Sequence, residues 1–172
     1  MRHLYLSNRF FWLFGALVVL FALSYPFGFL FPVAQAALTA ALTLVAVDVF
    51  LLFGRRPNVW CTRDLAPIFS LSDPNTVTLR FHNQGNLRFQ LAIIDELPVQ
   101  FQRRDFEERL ALAPGEQKAV AYELRPLSRG VYAFGQILVF VATRLGLVER
   151  RVAFDQPQEV AVYPSIVQMK RY

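Results

Sequence analysis

No charged side chain occurs between Phe10 and Val47, a stretch of 38 residues. The chain also has a single cysteine, Cys61, and two histidines, His3 and His82. One cysteine excludes an internal disulfide and is compatible with a reducing compartment, and no Cys/His spacing matches a zinc site. There is no Walker motif or dinucleotide fingerprint, because Gly130 and Gly135 stand singly with no helix start behind them. Cys61 reads as buried structure rather than nucleophile, and His82 as a residue on the polar face of a strand. The acidic pairs Asp95-Glu96 and Glu107-Glu108 do not converge on one site, since strand neighbours point to opposite faces. They read as solvated loop and edge positions. These absences argue for a non-enzymatic chain without cofactor or metal.

What is present begins with the uncharged run itself. Apart from Asp48 it stays apolar to Phe53, where Gly54, Arg55 and Arg56 end it. As one helix, residues 10–53 would extend about 66 Å at about 1.5 Å per residue. A bilayer core is about 30 Å thick, so this length suits two spans joined by a tight turn. The turn is expected within residues 25–32, where Pro26, Gly28 and Pro32 interrupt helix among interfacial aromatics. The first span is placed at Phe10–Ser24, with extension to Gly28 allowed, and the second at Val33–Phe53. Arg2 and Arg9 precede the first span; Arg55, Arg56 and Arg63 follow the second. The positive-inside rule then puts both flanks in the cytoplasm and the turn outside.

Two features of this segment admit more than one reading. Ala34-Gln35-Ala36 ahead of Ala37 has the form of a signal-peptide cleavage site, but the apolar stretch before it is longer than an h-region of about 7–15 residues. Asp48 is the one ionisable residue within the spans, and such carboxylates raise the question of ion pathways. The plainer reading places it near Arg55 and Arg56, within reach of water or an arginine.

Composition divides the chain near residue 58. Residues 1–58 carry a net charge of +3 and residues 59–172 a net +2. Most of the basic excess therefore flanks the apolar segment, where topology accounts for it better than nucleic-acid binding does. The remaining residues suffice for one domain with a modest core.

Beyond residue 58 the apolar pattern turns to alternation. Val77, Leu79 and Phe81 alternate with polar residues in 75–83, and Leu87, Phe89, Leu91 and Ile93 alternate after Gln84-Gly85-Asn86. Period two with one apolar face predicts half-buried strands, and the Gly-Asn turn predicts that these two form a hairpin. Further strands are predicted at Val59–Leu65, Phe106–Leu112, Lys118–Arg125, Val131–Ala142, Leu147–Phe154 and Glu159–Tyr163, with a type II turn at Ala113-Pro114-Gly115-Glu116. This pattern predicts an all-β, immunoglobulin-like sandwich over 59–164, a barrel being the alternative closure. Trp60, Phe69, Phe81, Phe89, Tyr122, Tyr132, Phe134 and Phe140 are the expected aromatic core. The doublets Arg103-Arg104 and Arg150-Arg151 suit either an anionic lipid surface or plain solvation.

The order of short motifs resembles a known family. Asp95-Glu96-Leu97-Pro98, Leu112–Glu116 and Tyr122-Glu123-Leu124-Arg125-Pro126 are followed by Arg129-Gly130-Val131-Tyr132-Ala133-Phe134-Gly135, Leu145–Arg150 and Val160–Ser165. With the preceding apolar segment, this order is similar to the bacterial domain of unknown function 58 family, across nearly the whole chain. The resemblance implies a membrane anchor, a β-domain and then a von Willebrand factor A-like domain. Residues 165–172 are accordingly expected to begin a linker towards such a domain. It also implies action beside MoxR-type AAA+ ATPases in assembling envelope complexes. Arg129, Gly130, Tyr132 and Gly135 match its motif and are expected to shape a strand-entry turn.

The expectation is a scaffold in the bacterial inner membrane, anchored at Arg9, Asp48, Arg55 and Arg56. Its cytoplasmic sandwich would bind protein partners of the membrane or envelope and no nucleic acid. The alternative is a subunit of a transport or secretion complex that uses Asp48 within a helical assembly.

Overall fold

The computed structural model describes residues 4–54, 57–102 and 106–164. Arg2, His3, Arg55, Arg56, Arg103, Arg104 and the expected linker 165–172 lie outside the described residues. Two helices, α1 (Asn8–Ser24) and α2 (Leu30–Phe53), stand between a short strand β1 (Leu4–Leu6) and a β-domain. The latter comprises β2 (Val59–Leu65), β3 (Ile68–Ser70), β4 (Asn75–Asn83), β5 (Phe89–Asp95), β6 (Phe106–Leu112), β7 (Gln117–Leu124), β8 (Gly130–Phe134), β9 (Ile137–Ala142), β10 (Val148–Phe154) and β11 (Gln158–Tyr163).

Ser7 caps α1: its hydroxyl oxygen accepts the Phe10 N–H at 3.4 Å. The turn at Tyr25–Phe29 reverses the chain. Pro32 does not break α2 but lies in its first turn, where a missing N–H costs nothing, so the helix starts at Leu30 rather than Val33. Ala34, Ala41 and Asp48 recur every seven residues and are all buried. The two alanines let α1 approach closely on that face, which buries Leu17 and Ser24. By length and composition α2 can cross a membrane, while α1 is a shorter apolar helix of 17 residues.

The β-domain is a two-layer sandwich. One layer is the sheet β2-β4-β7; the other is a five-stranded sheet β1-β10-β9-β5-β6 continued by a three-stranded sheet β3-β11-β8. The first layer packs Cys61, Leu79 and Phe81 against Leu91, Ile93, Val139 and Val148 of the five-stranded sheet. Its other end packs Val77 and Leu124 against Phe69, Tyr132, Phe134 and Val162.

Strand periodicity located most strands but not their partners. The predicted hairpin of 75–83 with 87–93 is absent: β4 pairs with β2 and β7, whereas β5 pairs with β6 and β9 in the opposite layer. The buried Asn83 amide makes this crossing possible, donating to the Leu87 and Ala113 carbonyls and accepting the Gly85 N–H. The predicted strand 131–142 is two strands, β8 and β9, in different sheets, parted at Gly135-Gln136. The Pro-Gly turn is as expected, with Gly115 at φ 73° and the Glu116 N–H bonded to the Ala113 carbonyl. Of the expected core aromatics, Trp60 faces outward and is 58 % exposed. Phe140 lies on the outer face, its ring edge-on to Tyr5.

Candidate functional site

The helices pack against the sandwich core through Leu52 and are hydrogen-bonded most densely to one loop, Thr143–Leu147, between β9 and β10. Asp48, five residues before the end of α2, is completely buried there. One carboxylate oxygen accepts the Thr143 hydroxyl; the other accepts the backbone N–H groups of Leu147 at 2.9 Å and Val148 at 3.0 Å. A buried carboxylate is tolerated when its lone pairs are matched in this way. The expected contact with water is therefore corrected, because the loop's own donors hold Asp48 inside the protein, while Arg55 and Arg56, the arginines expected beside it, lie outside the described residues.

The base of α1 grips the same loop. The Ser7 hydroxyl donates to the Gly146 carbonyl, and its N–H donates to the Leu147 carbonyl at 3.1 Å. The Arg9 guanidinium reaches the Leu145 carbonyl at 3.4 Å. Gly146 holds φ 62°, which favours glycine, and a Cβ there would lie 3.1 Å from the Arg9 guanidinium. Just before Ser7, β1 pairs antiparallel with β10, Leu4 opposite Arg150. Arg150 is not a free surface charge: it donates to the Leu52 carbonyl at 2.8 Å and stacks over Phe53.

A second cluster fills the seam where the broken layer divides. Arg63 of β2 is buried and pairs with Asp95 at the end of β5. It also donates to the carbonyls of Gln156 at 3.0 Å and Gly135 at 3.1 Å, the two points where the layer breaks. Its guanidinium lies over Phe134. Tyr122 donates to Asp95 as well, at 2.5 Å. Asp95 is thus neither solvated nor at an edge, contrary to the sequence expectation, because Arg63 of β2 and Tyr122 of β7 reach it from the opposite layer. Burial, and then the neighbouring Asp95 charge, pushes the Cys61 thiol up to about 12. The same two causes raise the Tyr122 hydroxyl.

The motif residues sit apart from the helix base. Gly130 opens β8 at φ 145°. Tyr132 is buried and donates to the Ser128 carbonyl at 2.9 Å. Gly135 is pressed against Glu96, so that a Cβ would fall 2.9 Å from the Glu96 Cβ. Arg129 is exposed. His82 lies beside Gln84 on the outer side of its sheet. Among the described residues no group of three or more His, Cys, Asp or Glu side chains is placed to hold a metal ion.

Ser7, Thr143 and Gly146 were not singled out from sequence, and Arg63 was placed only among the positive charges flanking the second span, a placement that its burial against Asp95 corrects. Ser7 carried a signal, a serine directly ahead of an apolar helical run. Nothing local marked Thr143 or Arg63, whose partners lie 95 and 32 residues away.

No protein-family model and no curated protein matches the chain in sequence. Among solved structures, it is similar to the human CEP192 ASH/PapD-like domain 7 at TM-score 0.45 and 13 % identity, covering 63 % of this chain and 87 % of that one. The CARDB domain of PF1109 from Pyrococcus furiosus, solved with di-metal ions, gives TM-score 0.43 and 14 % identity over 63 % and 96 %. A β-glucosidase from Listeria innocua in complex with isofagomine gives 0.34 and 20 % over 64 % and 17 %. Likeness at this level assigns neither activity nor partner.

Proposed function

We propose that α1 and α2 form a two-span membrane hairpin whose bases face the cytoplasm, and that the sandwich is a non-enzymatic scaffold for protein partners. The observation that carries this reading is the shared grip of Thr143–Val148 on Ser7 and Asp48. It holds both helix bases on one side of the sandwich, where Leu13 and Val45 also pack against the core, and from there the two helices run on together. Residues 30–47 of α2 extend about 27 Å and the 17 residues of α1 about 26 Å at about 1.5 Å per residue. Both lengths approach the thickness of a bilayer core, and a modest mismatch is absorbed by local thinning. The hydroxyls of Ser24, Thr39 and Thr43 donate to carbonyls of their own helices, which suits an apolar surrounding. Aromatic residues Tyr25, Phe27 and Phe29 crowd the exposed turn, as at a headgroup interface.

Cleavage after Ala36 would remove β1, Ser7 and α1 from the junction, which favours a retained anchor over a signal peptide. The buried, fully bonded Asp48 likewise favours an anchoring role over a relay in a transport assembly. The partner is proposed to be a MoxR-type AAA+ ATPase, as the family resemblance implies, within assembly of an envelope complex at the bacterial inner membrane. Topology is tested by paired reporters: one inserted at Gly28 should register as periplasmic and one fused after Tyr172 as cytoplasmic. Periplasmic activity of the second would overturn the orientation. Partnership is tested by co-purifying the full-length protein with a MoxR-type ATPase, and clean failure would refute that assignment.

A further inference from the structure

We propose that the end of the sandwich beside the helix bases is itself a membrane-docking surface for anionic phospholipid headgroups, built from two loops that each pair an exposed leucine with an exposed arginine. This rests on the membrane reading above. The loops are Gln84–Arg88, carrying Leu87 and Arg88, and Thr143–Gly146, carrying Arg144 and Leu145.

Their position follows from their contacts. Thr143 binds Asp48, and the Leu145 carbonyl receives Arg9, so this loop sits at the first turn of α1 and more than a turn inside the end of α2. The other loop borders α2 across a groove of about 520 Å³, with Phe50, Leu51 and Gly54 on one side and Gly85 and Leu87 on the other. Phe50, 73 % exposed, sits on the helix that enters the bilayer. Leucines on both loops thus lie level with the ends of the spans.

Neither leucine belongs to the two core clusters. Leu87 is 39 % and Leu145 37 % exposed, although each loop is held firmly. Asn83 donates to the Leu87 carbonyl at 2.8 Å, and the Thr143 hydroxyl accepts the Leu145 N–H at 3.2 Å. A fixed loop that presents leucine beside arginine suits the boundary between acyl chains and phosphates: the leucine enters and the guanidinium stays with the headgroups. Arg9 adds a third exposed positive charge at this level. Two carboxylates lie nearby: Glu116, held by Lys118 at 3.2 Å and by the Ala113 N–H at 2.7 Å and also within the field of Arg88, and Glu149, which lines a pocket with Arg9 and Gly146.

The test places a fluorescent probe on the full chain at Leu87→Cys, Leu145→Cys or, as reference, Leu127→Cys, which is 87 % exposed. Leu127 follows the end of β7 that pairs with Asn75, at the opposite end of β4 from Asn83. Cys61 is buried and stays unlabelled. In nanodiscs containing anionic lipid, acrylamide should quench the probes at 87 and 145 several-fold less than the probe at 127. Combining either probe with Arg88→Gln and Arg144→Gln, or using purely zwitterionic discs, should remove most of that protection. Equal quenching at all three sites in protein that remains in the discs overturns the proposal and leaves the hairpin intact. Protection that ignores both the arginines and the lipid charge overturns the anionic assignment. Failure of the chain to remain in the discs overturns the hairpin and this proposal together.

Discussion

Replacing Asp48 with alanine strands three donors, the Thr143 hydroxyl and the Leu147 and Val148 N–H groups. Each buried donor left unmatched costs about 1–3 kcal/mol, so Asp48→Ala should destabilise the protein by about 3 kcal/mol or more, and Asp48→Asn, which keeps one acceptor, by less. Thermal unfolding in detergent reads the difference, and an alanine variant as stable as wild type would refute the anchoring role. Cys61 makes a separate prediction. Its buried thiol, raised to about 12 from an ordinary value near 9, should resist alkylation at neutral pH until the sandwich unfolds. Because the folded value is the higher one, the unfolded chain gives up its proton first as pH rises. The contribution to stability is therefore intact below about pH 9 and lost as pH climbs towards about 12. Tyr122 acts in the same direction. Urea midpoints should fall across that window, and less steeply in Cys61→Ala. Gly135→Ala should also destabilise, by about 1–3 kcal/mol, since its Cβ would collide with Glu96.

Among the elements, the broken layer is the feature most dependent on one side chain. Arg63 serves the carbonyls at both breaks while neutralising Asp95. Arg63→Met leaves a buried carboxylate uncompensated and should cost about 3–5 kcal/mol. Adding Asp95→Leu should recover part of that loss, because removing both charges spares the penalty of leaving one. Chemical denaturation of the single and double variants measures the coupling; purely additive losses would exclude a working ion pair. Alternation in 75–83 and 117–124 showed where strands run and which residues face inward. It could not show that β4 and β5 lie in opposite layers, since a hairpin and a layer crossing need the same short polar connection. Nor could it part β8 from β9, because the cause of that break comes from Arg63, more than seventy residues earlier. β1 is three residues long and exists only through its pairing with β10.

For the whole molecule, the junction makes the helices and the sandwich depend on one another. Deleting residues 1–7 removes β1 and the Ser7 cap, exposing the edge of β10 and the carbonyls of Gly146 and Leu147. The truncated protein should unfold at lower temperature even though the β-domain from Val59 to Tyr163 is untouched. Faster amide exchange in 145–150 should mark the site of the loss. Unchanged exchange there would mean that the N-terminal segment does not brace the sandwich.

The uncharged run, its flanking arginines and the alternation beyond residue 58 determined an apolar hairpin joined to an all-β domain, because hydrophobic period and charge placement are local properties of a chain. Only the tertiary structure decided what Asp48 and Asp95 do. Asp48 is a lone carboxylate in sequence and Asp95 half of an acidic pair, and the meaning of each comes from donors that folding brings from 95 and 32 residues away. The run also acquired a physical boundary. It ends at Val47 because the next residue, Asp48, is where the sandwich takes hold of the helix.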